Sequence, residues 1–223
     1  MKVLMSCNNS AFQAPGGGEI LLLKTMEFLI KQGVNVKLFD QWHDKLQDYD
    51  ILHNYGLSNN CYDLIKVAHN KKVPVAITPV YSWPSLRFAL RAGITVKQKL
   101  NLSSYSLLHG TPLLNKTTNA YKMLKLASMI LTDSKAEKEV IMKTYKLKPD
   151  TFKIAPYGVD KRFYKADKKE FIKKYNVEDF LLYTGRIEPR KNVLTLIKIA
   201  SKHNLPLLII GSKSYQGGDD YYN

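Results

Sequence analysis

Residues 2–39 read KVLMSCNNSAFQAPGGGEILLLKTMEFLIKQGVNVKLF, and their order decides the fold. Lys2 to Cys7 is a short apolar run that stops at a polar loop carrying three consecutive glycines, Gly16, Gly17 and Gly18. Gly18 to Lys31 then places Ile20, Leu23, Met26, Glu27 and Ile30 at helical positions, and Gly33 stands where helices end. Val34 to Phe39 alternates as a second strand. Strand, loop, helix and strand in direct succession make a βαβ unit, the building block of a parallel sheet covered by helices.

The alternation continues outward from this unit. Strands are expected at Tyr49–His53, Val73–Thr78, Met129–Thr132 and Phe152–Ala155, and helices at Tyr62–Asn70, with Leu64, Ile65 and Ala68 inward, and at Tyr121–Ala127. Ser134 and Glu137 form a capping box that opens a helix running to about Tyr145. Leu86, Leu90 and Ile94 are spaced for one helix face; beyond Gly93 the pattern dissolves, and His109 to Pro112 marks a turn. The lysine-rich stretch from Asp160 to Asp179 carries one helix near Lys168–Lys174. The apolar alternation then restarts, with strands at Phe180–Tyr183 and Leu205–Ile210 around a helix at Val193–His203, and a loop-like end past Gly211. The expected fold is α/β: a Rossmann-like parallel-sheet domain over 1–160, an inter-domain segment over 161–178, and the first βαβ unit of a second Rossmann-like domain over 179–223. Two strands and a helix are too few to bury a core of their own, so the second domain reads as truncated at Asn223.

The chain has 223 residues and is 45% hydrophobic and 24% charged, a globular rather than a disordered profile. Cys7 and Cys61 stand apart with no CxxC spacing, which fits a reducing compartment and offers no metal or disulfide framework. No signal-peptide core or membrane-length apolar run is present, so a cytoplasmic protein is expected. The net charge is +15, and it is uneven: residues 64–132 hold no Asp or Glu, yet carry Lys66, Lys71, Lys72, Arg87, Arg91, Lys97, Lys99, Lys116, Lys122 and Lys125. A region of one sign attracts an anionic ligand, membrane or nucleic acid, or is simply a solvated basic surface. The segment Ser85–Leu100, SLRFALRAGITVKQKL, reads either as a helix lying on the inner face of an anionic membrane or as a core helix with a basic outer face.

Four pieces carry a resemblance. They are Gly16-Gly17-Gly18-Glu19 between the first strand and helix, Ser134 opening a helix in ILTDSKAEKEVI, Pro156-Tyr157-Gly158-Val159-Asp160 with Phe163, and Tyr183-Thr184-Gly185-Arg186 followed by Pro189, Lys191 and Asn192 in GRIEPRKN. In this order and separation they resemble family 4 retaining glycosyltransferases of the GT-B fold, over essentially the whole chain. The resemblance implies transfer of a sugar from a UDP-, GDP- or ADP-sugar to a glycan, lipid-linked or small acceptor, with no cofactor or metal.

Gly16, Gly17, Gly18, Gly185, Arg186 and Lys191 would bind the donor diphosphate. Glycines before a helix let backbone amides approach phosphate, and fixed cations stabilise charge growing on the leaving diphosphate. Glu19, Arg87 and Arg91 would lie on the acceptor side of the cleft, although Glu19 also fits as a first-turn acid complementing the helix dipole. Asp160 and Phe163 read as a turn carboxylate and an anchor at the domain joint. The His that family members often carry after the fourth strand is absent here; Thr78, Tyr81 and His109 are the candidates for its place. The family's paired glutamates would lie past Asn223, so residues 1–223 alone are expected to be inactive. A partner subunit with a degenerate transferase fold, or a basic nucleic-acid-binding protein, are the rivals; no nucleic-acid signature supports the second. A nicotinamide enzyme fits poorly, because Leu21 stands where the dinucleotide fingerprint needs its later glycine.

Overall fold

The computed structural model describes residues 1–13, 15–81, 96–111, 114–165, 167–188 and 191–212. Leu86, Arg87, Leu90, Arg91, Ile94, Pro112, Pro189 and the chain past Ser212 lie outside the described residues. The chain divides into two units, Met1–Trp83 with Leu107–Tyr157, and Pro84–Ser106 with Gly158–Asn223.

In chain order the elements are β1 (Lys2–Ser6), α1 (Gly17–Lys31), β2 (Asn35–Leu38), β3 (Ile51–Tyr55), α2 (Tyr62–Asn70), β4 (Val75–Thr78), α3 (Val96–Gly110), α4 (Asn119–Leu126), β5 (Met129–Thr132), α5 (Lys135–Tyr145), β6 (Phe152–Ile154), α6 (Lys169–Tyr175), β7 (Leu181–Thr184), α7 (Val193–Lys202) and β8 (Leu207–Ile210).

In the first unit six strands form one parallel sheet in the order β2-β1-β3-β4-β5-β6. This is the Rossmann-like α/β arrangement the alternation predicts. Successive strand residues face opposite sides. Leu4, Leu52, Val75 and Ile77 pack with Ile65 and Ala68 of α2 and Met123 of α4, whereas Val3, Met5 and Tyr55 pack with Leu22 of α1. Ile141 and Tyr145 of α5 close a third cluster over Ile130 and Phe152.

Several expectations shift. The buried face of α1 is Leu22 with Met26 and Leu29, while Ile20, Leu23 and Ile30 are exposed. An apolar helix with leucines on three sides shows its core face only once a sheet lies beneath it. β3 ends two residues later than predicted, because Tyr49 belongs to the preceding turn, where its hydroxyl donates to Asp44 Oδ1 at 2.7 Å. The supposedly patternless stretch after Gly93 is α3, a fifteen-residue helix whose Gly110 ends it. Phe163 is largely exposed under the Arg162 guanidinium, so it is not a buried anchor, while Asp160 does accept the Arg162 N–H at 3.1 Å as a turn carboxylate.

In the second unit β7 and β8 pair in parallel, with α7 between them in sequence and Val193 and Ala200 buried. Phe171 of α6 stacks on Tyr175 and Phe180.

Candidate functional site

The strand order of the first unit reverses between β1 and β3: the chain leaves β1 toward β2 on one side, then crosses back to β3 on the other. Ligands of open α/β sheets bind outside the carboxyl ends of the strands at such a reversal. The groups at that place are the ends of β1, β3 and β4, the start of α1, and the loops that follow.

Ser6, the last residue of β1, pairs with Asn54 near the end of β3, and the Ser6 hydroxyl donates to Asn54 Oδ1 at 2.9 Å. Asn54 is fully buried, and its amide donates to the Gly56 carbonyl at 2.9 Å. On the other face, His53 Nε2 meets the Thr78 hydroxyl at 2.8 Å, and the His53 ring lies 4.5 Å from that of Tyr55. Burial lowers the His53 pKa to about 4, so the imidazole is neutral. The Tyr55 hydroxyl interacts with Thr25 and Thr78, and burial raises its pKa. Thr78, a sequence candidate, is therefore buried and engaged by the floor.

The α1 start sits at this end. Gly16 is the N-cap, Gly17 is exposed, and the Glu19 carboxylate accepts the Gly16 N–H at 2.7 Å. Gly16 has no side chain to return a bond, so this is half of a capping box. Glu19 thus fixes the glycine turn. A methyl group on Gly18 would meet Val80 Cγ1 at 3.6 Å. Val80 just beyond β4 has φ of +48°, a left-handed conformation that a β-branched residue adopts at a cost of about 1–3 kcal/mol.

Glu137 holds the next residue. Its Oε1 accepts the Tyr81 N–H at 2.8 Å and its Oε2 accepts the Asp133 N–H at 2.7 Å. Ser134 caps α5 as predicted, its hydroxyl accepting the Glu137 N–H at 3.2 Å. The reciprocal half differs from the box, because the carboxylate clamps the exits of β4 and β5 together. Burial and then Asp133 push the Glu137 carboxyl up, against the lowering effect of the two N–H donors. Tyr157 stands beside this pair, and its phenol is raised by burial first, then by Glu137 and Asp133.

His109 is placed elsewhere in the first unit, at the end of α3. Its Nδ1 lies 3.5 Å from the Tyr145 hydroxyl, its carbonyl accepts from Asn115, and burial lowers its pKa. The Tyr81 ring meets the Tyr145 ring edge-on at 6.2 Å. Arg87 and Arg91 fall outside the described residues.

In the second unit Gly185 follows β7 with φ of +146°. Its N–H reaches the Ile210 carbonyl at 2.9 Å, and a methyl group on Gly211 would overlap the Gly185 carbonyl oxygen. The Arg186 carbonyl accepts the Tyr183 hydroxyl at 2.7 Å, and Lys191 is exposed just before α7. Gly185 and Arg186 directly follow β7, and Lys191 precedes α7 in the same strand-to-helix connection of the sequence.

The sequence missed His53, Asn54, Val80 and the clamping role of Glu137. The one visible signal was polar HN interrupting an apolar strand at 53–54. Among the described residues, no group of three or more His, Cys, Asp or Glu could hold a metal.

No protein-family model and no curated protein matches the chain. Solved structures do. A UDP-GlcNAc 2-epimerase from Neisseria meningitidis bound to UDP-GlcNAc is 12% identical with a TM-score of 0.51, over 94% of this chain and 65% of that one. The enzyme of the same name from Methanocaldococcus jannaschii is 9% identical with a TM-score of 0.51, over 94% and 65%. S. aureus MnaA with UDP is 11% identical with a TM-score of 0.50, over 97% and 63%. The chain thus spans less than two thirds of the length of the structures it resembles. What it shares with them is the fold, a Rossmann-like parallel α/β architecture of the GT-B type.

Proposed function

We propose that the chain is part of a nucleotide-sugar enzyme, and that its reaction is transfer of a sugar, with retention, from a UDP-, GDP- or ADP-sugar to a hydroxyl of a glycan, lipid-linked or small acceptor. The observation that carries this is the glycine turn at the start of α1, at the carboxyl end of β1 where the strand order reverses. Gly17 is exposed at that turn and lets a ligand approach the helix start, where Glu19 already holds the Gly16 N–H. In the second unit Arg186 and Lys191, at the carboxyl end of β7, are assigned to the diphosphate. Breaking a sugar–phosphate bond leaves charge on the diphosphate, and positioned cations lower that barrier. The fold's likeness to structures that hold UDP-GlcNAc or UDP supports the same ligand class.

Calorimetric titration of the chain with UDP, GDP, ADP and their sugars tests this. One nucleoside diphosphate is expected to bind, and Arg186→Ala with Lys191→Ala to weaken it by at least about tenfold. Failure of every nucleotide to bind overturns the proposal. A second reading, C2 epimerisation, rests on two of the resembling structures being UDP-GlcNAc 2-epimerases. Proton NMR of UDP-GlcNAc with the native enzyme separates the two: a C2 epimer formed without acceptor favours epimerisation, and a new glycosidic signal with UDP release favours transfer.

A further inference from the structure

Val80 holds a backbone conformation that its own side chain opposes. Its φ of +48° lies in the left-handed region, which a β-branched residue enters only against steric strain. Among the described residues, the other non-glycine members of that region are Lys72, Lys146, Asn176, Asn192 and Asn204. None of these is β-branched, and all five stand at or beside helix ends, where such a turn starts or finishes the helix. Val80 instead follows a strand, just beyond the end of β4. Bonds on both sides hold it there. The Thr78 carbonyl accepts the Gly56 N–H at 2.8 Å, and Glu137 Oε1 accepts the Tyr81 N–H at 2.8 Å. Strain of this kind persists only where the surroundings over-determine the chain. What the conformation achieves is the direction of the isopropyl group. Its two methyl groups stand 3.6 and 4.0 Å from the place a Cβ on Gly18 would take. Gly18 is the second residue of α1, next to exposed Gly17, and all of these residues belong to the first unit.

We propose that Val80 is a positioning residue: its isopropyl group braces the glycine turn, so that Gly16 to Gly18 keep one conformation before a nucleotide sugar arrives. The proposal rests on the reading of that turn as a ligand-binding element. Three successive glycines sample many backbone conformations, and a turn that must be ordered on binding loses affinity to that ordering. Glu19 restrains the turn at one residue by holding the Gly16 N–H at 2.7 Å. Val80 restrains it at Gly18, where no side chain is present to be held. A β-branched side chain suits this task, because its few rotamers make it stiff. Glycine or asparagine at position 80 would adopt the same φ with less strain, but would remove the brace.

The test compares Val80→Gly and Val80→Asn, which relieve the strain, with Val80→Thr, which keeps the branched shape. The measurements are the urea unfolding midpoint, the calorimetric affinity for UDP, GDP, ADP and their sugars, and hydrogen exchange at two amides of the turn. Those amides are Gly16, bonded to the Glu19 carboxylate, and Ile20, bonded to the Gly16 carbonyl at 3.1 Å. Val80→Gly and Val80→Asn are expected to leave the midpoint level or raise it. Both should nevertheless weaken binding at least about fivefold and speed exchange at Gly16 and Ile20 by a similar factor. Val80→Thr should restore both readouts to near the native values. A merely structural valine would lose stability and affinity together, or neither, and either result overturns the proposal. Unchanged exchange at Gly16 and Ile20 overturns it as well. If the native chain binds no nucleotide or nucleotide sugar, the proposed function fails, and the brace stands or falls on the exchange of these two amides.

Discussion

β4 in the first unit reads VAIT and β8 in the second reads LLII, yet the less apolar strand is the buried one. Every residue of β4 is buried, with strands on both sides and Val75 and Ile77 packed against α2 and α4. β8 has one strand neighbour among the described residues, and Ile210 is 54% exposed. An apolar run thus specifies a strand, and the number of layers around it specifies the burial. The same contrast separates the polar groups. His53 and Thr78 are buried and bonded to each other, and Asn54 is buried and bonded to Ser6, whereas Lys191 stands in solvent.

Substitutions can break that comparison. Leu52→Ala, at a fully buried position in the first sheet, is expected to cost about 2–5 kcal/mol in urea unfolding followed by circular dichroism. A cost below about 1 kcal/mol would mean that the first core is no better packed than the second unit.

The pH dependence comes next in size. His53 is neutral in the folded state down to about pH 4, whereas in the unfolded chain it protonates near its usual value of about 6.5. Between those values the unfolded state binds the extra proton, so stability is full above the window and declines as pH falls through it. The loss reaches about 3 kcal/mol as an upper bound. Unfolding midpoints at the two ends of the window, compared with those of His53→Gln, isolate this share. An identical pH slope in the variant would show that His53 is not held neutral.

Ser134→Ala removes the α5 cap and should cost about 1 kcal/mol. Leu182→Ala in β7, where the side chain is 56% exposed, should cost under about 1 kcal/mol. A Leu182 effect equal to that of Leu52 would erase the contrast between the units.

Much of the fold was legible because it rests on local periodicity. α2 spans Tyr62–Asn70 and β5 spans Met129–Thr132, both as the sequence predicts, and Ser134 caps its helix. Helix α3 was illegible because Asn101, Ser103 and Ser104 dilute its apolar period, and its exposed leucines point away from the face that packs. The site was legible only where a motif marks it. The glycine turn and GRIEPRKN can be seen in the sequence, but the Ser6–Asn54 and His53–Thr78 pairs arise from strand register. Register joins residues far apart in the chain, and no local pattern encodes it.

The strand order also dictates how the sheet can be assembled during synthesis. Once residue 55 has emerged from the ribosome, β1, β2 and β3 are all present, and they are neighbours in space. β4, β5 and β6 then dock one after another on the same growing edge, each beside the strand made just before it. No later strand has to insert between earlier ones, so the first sheet can be built outward at the pace of translation without being reopened.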